Sequence, residues 1–534
     1  MSVMTTSGAV CGVEGIPVRV EVDILRRLPA VQIVGLAASS VRESAERVRS
    51  AVVAQGLDWP RKRVVINLAP ADLRKEGTAF DLPIAVGVLA AAGDLPSGAL
   101  DGRVFAGELS LSGALRPVRG ALALALMARE DGCRQLILPQ ACASEAAIVR
   151  GLDVRGAASL GEVLAHLGGG AQLPAPPATL PESAVADRDL REVRGQLFAR
   201  RAMEIAAAGG HNLLMVGPPG CGKTMLAARV PTILPRMSFE EAIEVTRIHS
   251  VAGLRPAGAG LMRARPFRAP HHSITTAGML GSARLHPGEA SLAHHGVLFL
   301  DELPEFQRSV LELLRGPLED RKVTLARAMG TAQFPAAFSL VAAANPCPCG
   351  YLGHPRRSCG CSEGQVHRYL GRLSGPLLDR IDLHVELAPV SADELVDAAP
   401  GESSAAVRER VVSARSRQTA RFEGSLLRCN ADLSGEQVRE QARARPQAMG
   451  LLRDFIDAHA LSGRAHARLL KVARTIADLE GAERVERHHL AEALQYRASL
   501  PSDQHQRPAP SALPPPLDKP DDDDSACSPT GRRP

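Results

Sequence analysis

The sequence predicts an α/β protein of three parts. They are an N-terminal α+β domain over residues 1–170, a core over 185–390 built on a parallel sheet, and an all-helical segment over 391–498. Three observations carry this reading. The run "NLLMVGPPGCGKTML" (212–226) joins an apolar stretch to a glycine-rich loop and then to a helix-forming stretch. "HGVLFLDELPEF" (295–306) and "FSLVAAAN" (338–345) each hold a continuous apolar run that stops at a polar side chain. Buried parallel strands look like this, and their C-terminal ends face ligands. Beyond residue 390 the strand patterns stop and helical periodicity takes over.

At 534 residues the chain is too long for one core, so two or three domains are expected. Hydrophobic residues at 45% and charged residues at 23% suit an ordinary globular protein. The balance of 63 basic and 58 acidic residues gives +5, so any basic surface for nucleic acid must be local. Aromatics are only 3%, which leaves few platforms for stacking single-stranded bases. Spanning a bilayer takes about 20 apolar residues, and no run comes near that. "MSVMTTSGAVCGVEG" lacks the layout of a secretion signal, so a cytoplasmic location and no membrane partner are expected.

The elements follow in order. "VRVEVDIL", "RVVINLAP", "RVFAGELSLSG" and "CRQLILP" read as strands of the first domain; "SSVRESAERVRSAVVAQG", "LPIAVGVLAAAG" and "ALALALMARED" read as helices. "GGGAQLPAPPATLPES" (168–183) is rich in Gly, Pro and Ala and reads as a linker, placed over 171–184. Strands and helices then alternate around the glycine-rich loop. "VTLARAMGTAQFP" (323–335) reads as a hairpin turning at Met329-Gly330. In the helical segment Ser434 and Gln437 form a capping-box pattern. The tail over 499–534 is rich in Pro and charge and poor in large apolar residues, so disorder is expected.

Gly217-Pro218-Pro219-Gly220-Cys221-Gly222-Lys223-Thr224 satisfies G-x-x-x-x-G-K-[ST] at every fixed position. The glycines let backbone N–H groups turn inward around phosphates. Lys223 is expected to meet the β- and γ-phosphates, and Thr224 to put its hydroxyl on Mg²⁺. The following helix directs its dipole at the same anion. ATP and Mg²⁺ are therefore the expected cofactors. Asp301 is expected to hold the metal through its hydration shell, and Glu302 to orient and deprotonate the attacking water. Asn345 ends the third strand, where a neutral amide can position water without repelling phosphate.

Ten cysteines in a reducing compartment make a cluster more telling than a count. Cys347, Cys349, Cys359 and Cys361 lie within fifteen residues as two C-x-C pairs separated by nine residues. Four thiolates suit tetrahedral Zn²⁺. Free thiols in a polar loop and redox-active disulfides are the alternatives, and His354 is a reserve ligand.

The order of these elements resembles the AAA+ ATPases, and within them the magnesium-chelatase-like branch that includes the ComM (YifB) family. The resemblance rests on "FRAPHHSITTAGMLG", "PGEASLAHHGVLFLDELPEF", "LLRGPLEDRKVTLARA", "ANPCPCG" and "LSGPLLDRIDLHVE", and on "SGRAHARLLKVARTIADLEG" as the C-terminal lid. It implies a hexameric ring with ATP between subunits. Arg380 in "LLDRID" matches the arginine finger. Arg464 matches the sensor arginine of the lid, and Arg468, one turn on, is the alternative. The first domain resembles the Lon-type protease domain, over "NLAPADLRKEGTAFDLPIAVG" and "GELSLSGALRPVRGALALALMAREDGCRQLILP". Ala79 stands where that domain has its nucleophilic serine, and no lysine occurs between Asp101 and Arg129. A protease fold without protease chemistry follows, because an alanine offers no nucleophile to activate.

The ComM resemblance implies an ATP-driven motor on branched or duplex DNA, with branch migration in homologous recombination and natural transformation, and recombination proteins as partners. Arg268, His271, His272, Arg284, Arg321, Lys322 and Arg327 are the expected phosphate contacts, with the arginine-rich stretch 408–421 a weaker candidate. The competing reading is a remodelling or metal-chelatase ATPase that acts on a protein partner.

Overall fold

The computed structural model describes residues 2–176, 188–256, 259–282, 285–327, 330–390, 400–459 and 463–497. The tail, most of the expected linker, Arg284 and residues 391–399 lie outside the described residues. The strands of the first domain are β1 (Val3–Cys11), β2 (Glu14–Leu25), β3 (Ala30–Val34), β4 (Arg63–Ala69), β5 (Arg103–Phe105), β6 (Glu108–Leu109), β7 (Leu115–Arg116), β8 (Gln135–Pro139) and β9 (Asp153–Ala157). Seven of them form one mixed sheet in the order β3-β4-β2-β1-β5-β8-β9, while β6 and β7 pair separately. Along β4 the inward Val64, Ile66 and Leu68 alternate with more exposed neighbours, as a strand covered on one face requires. Helices 44–54, 81–92 and 160–167 share the hydrophobic core on that face.

β1, β3 and β9 are absent from the strands expected of this domain, and β1 shows why. Its inward residues are Thr5, Ser7 and Ala9, all buried, so no large-apolar alternation marks it. Cys11 pairs with Glu14, which leaves Gly12 and Val13 as the turn between β1 and β2. Gly12 has φ 62°, a conformation glycine adopts without strain.

The core adds β10 (Leu213–Val216), β11 (Phe267–Arg268), β12 (Val297–Leu300), β13 (Lys322–Arg327), β14 (Gly330–Pro335), β15 (Ser339–Ala344) and β16 (Leu383–Glu386). The main sheet runs β11-β12-β15-β10-β16, and every neighbouring pair is parallel. Both faces are buried, and alternate residues feed different cores. Leu213, Met215, Val297, Phe299, Val341 and Ala343 join the helices of the C-terminal segment. Leu214, Val216, Leu298, Leu300, Leu340 and Ala342 join the side that carries the β13–β14 hairpin. Continuous apolar strands follow from having both faces covered.

Two local expectations are corrected. Arg327 pairs with Gly330, so Gly330 belongs to β14 and not to the turn expected at Met329-Gly330; 328 and 329 are outside the described residues. The helix at 436–442 is preceded by Gly435 with φ 51° and has no side-chain cap. The Ser434 hydroxyl donates to Gln437 Oε1 at 3.3 Å instead of accepting a backbone N–H, so only the Gln437 half of the box forms.

The first domain and the core touch at several places among the described residues. Val13, 2% exposed, belongs to the same hydrophobic core as Leu325, Ala332 and Phe334 of the hairpin. A Cβ on Gly12 would lie 3.1 Å from that of Ala332. Nearby, Gly120 N–H donates to Ser250 Oγ at 3.1 Å.

Candidate nucleotide site

The glycine-rich loop leaves β10 at the C-terminal edge of the sheet. Gly217 N–H donates to Ala344 O at 3.2 Å, and a Cβ on Gly217 would come within 2.7 Å of Leu387 O, so the chain passes too closely for a side chain. Gly220 and Gly222 have φ 80° and 93° and open space on their Cβ side. Lys223 begins the next helix and is 8% exposed. Its ammonium donates to Gly217 O at 2.6 Å, Pro218 O at 2.9 Å and Asn345 Oδ1 at 3.1 Å. Burial pushes its pKa below the ordinary lysine value. All three oxygens are neutral, and a buried cation among neutral acceptors gains from an arriving anion.

β15 lies between β10 and β12, so Asn345 at its end stands between Lys223 and the acidic pair. Thr224 Oγ1 donates to Asp301 Oδ2 at 2.8 Å, which brings a hydroxyl and a carboxylate together as hard-cation ligands require. Asp301 Oδ1 accepts from Glu302 N–H at 3.0 Å. Glu302 is in the left-handed region at φ 52°, and its half-exposed carboxylate lies 3.5 Å from His272 Nδ1. These residues fit a magnesium nucleotide in donor type and charge. Gln196, which sequence reasoning passed over, also belongs here. It has φ 50° and donates from Nε2 to Ala388 O at 2.8 Å and Cys221 O at 3.4 Å, beside the loop.

The arginines gather elsewhere. Asn212 precedes β10, donates from Nδ2 to Arg380 O at 2.8 Å, and accepts from Asp382 N–H at 3.1 Å. Arg380 therefore sits at the N-terminal edge of the sheet, and Lys223 at the C-terminal edge. The four residues of β10 between them span about 13 Å. The Arg380 guanidinium pairs with Glu319 and donates to Pro376 O at 2.6 Å. Arg468 Nε is 3.5 Å from Asp382. Burial raises the Asp382 carboxyl, but the His211 hydrogen bond and the charges of Arg468 and Lys471 outweigh it and bring the pKa to about 2. Arg464 is exposed and lines the same cleft as Arg380, Arg468 and Lys471.

The sequence model described as Magnesium chelatase, subunit ChlI matches residues 189–395. Those for Subunit ChlI of Mg-chelatase and for its C-terminal part match residues 20–142 and 401–497. The YifB protein of Escherichia coli is 44% identical over 502 residues, covering 93% of this chain and 97% of that one. Competence protein ComM of Haemophilus influenzae is 43% identical over 502 residues, covering 92% and 97%. This chain belongs to the magnesium chelatase ChlI family of AAA+ ATPases. A more distant likeness is the DNA helicase MCM8 of Gallus gallus, 27% identical over 188 residues, 35% of this chain and 19% of that one.

In this family member the four loop cysteines converge. The Sγ atoms of Cys347 and Cys349 are 3.4 Å apart, Cys347 and Cys359 3.6 Å, and Cys349 and Cys359 3.5 Å. Cys361 completes a group whose ligand atoms all lie within 4.8 Å of one another. The thiols are free. His354 does not join them, because its Nδ1 accepts from the N–H groups of Arg356 and Arg357 at 3.1 Å.

Of the expected phosphate contacts, several are engaged inside the chain. Arg268 makes a two-pronged pair with Glu289 at 2.6 and 2.7 Å. Arg321 pairs with Asp432 at 3.1 Å, and His272 faces Glu302. His271 meets Ser273 Oγ at 2.8 Å. Lys322, at the base of the hairpin, is exposed. In the arginine-rich helix Arg410 binds Glu402 and Glu204, Arg415 binds Ala207 O, and Arg421 binds Asp478, so that helix is a structural brace. No helix among the described residues is long and apolar enough to cross a membrane.

Proposed function

We propose that this protein is an ATP-driven ring motor that moves branch points in DNA and so assists homologous recombination and natural transformation. One observation carries the ring. The phosphate loop, Asp301, Glu302 and Asn345 stand at one edge of the sheet, and Arg380, Arg464 and Arg468 at the other. An arginine at that distance cannot serve the nucleotide of its own subunit, so a complete site takes one edge from each of two copies. Heterologous contacts of this kind close into rings, and a hexamer is the expected size.

In that arrangement Gly217 to Thr224 would hold the triphosphate, and Thr224 and Asp301 the magnesium ion. Bound Mg²⁺ supplies neutralisation of charge on the β- and γ-phosphates. Glu302 takes the proton of the attacking water, Asn345 holds that water in line, and the neighbour's Arg380 offsets charge on the transferred group. The first domain, read as Lon-like, contributes no catalysis, since Ala79 has no nucleophile.

DNA as the partner is supported by the exposed Lys322 on the hairpin and by likeness to a competence protein and, distantly, to a DNA helicase. The cytoplasm is the compartment that fits. The chelatase matches favour a second reading, remodelling of a protein partner. A labelled junction with homologous arms separates the two. Branched DNA should raise the ATPase rate, and wild type should move the branch while Lys223→Ala does not. Binding should weaken steeply with salt, because phosphate contacts release counterions. A confirmed ring with vigorous ATPase activity that neither binds nor moves junctions at low salt removes the DNA reading.

A further inference from the structure

We infer that the loop 347–361 binds one zinc ion, and that this ion clamps Asn345 and the phosphate loop in their working positions. Four Zn–S bonds of about 2.3 Å at tetrahedral angles place sulfurs about 3.8 Å apart. The observed separations of 3.4, 3.5 and 3.6 Å are close to that value and far from the roughly 2.05 Å of a disulfide. Four neutral thiols would gain little from gathering this tightly in a loop rich in glycine. The gathering suits a cation held by four thiolates, with its four S–H protons released to solvent.

The coupling follows from what the loop touches; it rests on the nucleotide reading given above. Cys347, fully buried, comes two residues after Asn345. Cys361 is followed directly by Ser362, which caps the helix Glu363–Leu370 through a reciprocal box with Gln365. That helix carries the buried Tyr369, whose hydroxyl returns to the backbone of Asn345. Both ends of the cysteine loop therefore converge on Asn345, and the ion fixes the separation between them. Gly350, at φ 82°, lies against the phosphate loop, since a Cβ there would be 2.6 Å from Pro219 Cδ. Just past the helix, Arg372 donates to Pro304 O at 3.1 Å and Glu305 at 2.8 Å, in the segment that follows Glu302. The loop thus touches the phosphate loop through Gly350, while the helix and turn that it leads into reach Asn345 through Tyr369 and the chain after Glu302 through Arg372.

The test measures metal and two nucleotide steps separately. Wild type purified without added zinc should carry about one zinc per chain by elemental analysis. Cys359→Ser combined with Cys361→Ser should lose it and lower ATP hydrolysis at least tenfold, with fluorescent-nucleotide binding weakened by a smaller factor. Chelator-stripped wild type given zinc back should recover both metal and hydrolysis, which separates an effect of the ion from misfolding of the variant. Unchanged zinc in the double variant, or zinc-free wild type with full ATPase activity, overturns the metal site. Zinc restored without hydrolysis overturns the coupling. A zinc-loaded wild type that binds no nucleotide at all leaves the metal site standing and fails the nucleotide reading instead.

Discussion

If Arg380 acts on the neighbour's nucleotide, two inactive variants should restore each other. Glu302→Gln should bind ATP and fail to turn it over, and Arg380→Ala should lose the charge that stabilises phosphoryl transfer. Arginines in that role are worth about 10³- to 10⁵-fold in rate. Arg380 is joined to the sheet edge through its carbonyl on Asn212, about 13 Å of strand away from the phosphate loop. An interface in a mixed ring then works when one subunit brings Glu302 and the next brings Arg380. For random mixing at equal amounts, about one quarter of interfaces meet that condition, whatever the ring size. Activity should trace the product of the two fractions and peak at equal mixing. Removing Arg380 leaves the half-exposed Glu319 without its partner and also takes away a buried side chain, so the fold should lose about 1–3 kcal/mol. Steady-state ATPase across mixing ratios is the assay, with subunit exchange followed by a fluorescent label. Exchange without any gain over the single variants would refute the assignment, because an arginine acting within its own subunit cannot be complemented.

Two further outcomes concern stability. Val13→Ala removes two methyl groups from the core shared with the hairpin, and should cost about 2 kcal/mol and expose the hairpin to protease; denaturant unfolding unchanged from wild type would show that the β1–β2 turn does not hold the core. Burial, aided by the Arg497 charge, lowers the His384 imidazole to about 3. An imidazole depressed in the fold gives stability that is present above its unfolded value of about 6.5 and is lost as pH falls below it. Between pH 7.5 and pH 5 that loss is about 2 kcal/mol for this group. His384→Phe should flatten that part of the Tm profile, and an unaltered slope would remove His384 as its cause.

The sequence by itself determined the chemistry of the nucleotide loop. Glycines, lysine and threonine at fixed spacing act through the local backbone, so spacing is nearly structure. It also determined the doubly covered core strands, because an apolar run with no alternation has only buried solutions. What it could not supply was which ends of the chain meet. That β15 runs between β10 and β12, and so puts Asn345 on Lys223, depends on strand order. Arg268 and Arg321 looked like free cations until folding brought Glu289 and Asp432 to them from 21 and 111 residues away. β1 stayed hidden because its buried face is Thr5, Ser7 and Ala9, and a polar inward face leaves no hydrophobic period. The separation of Arg380 from Lys223 was decided only by tertiary structure. A sequence records that both are present, and only the direction of β10 sets them at opposite edges of the sheet.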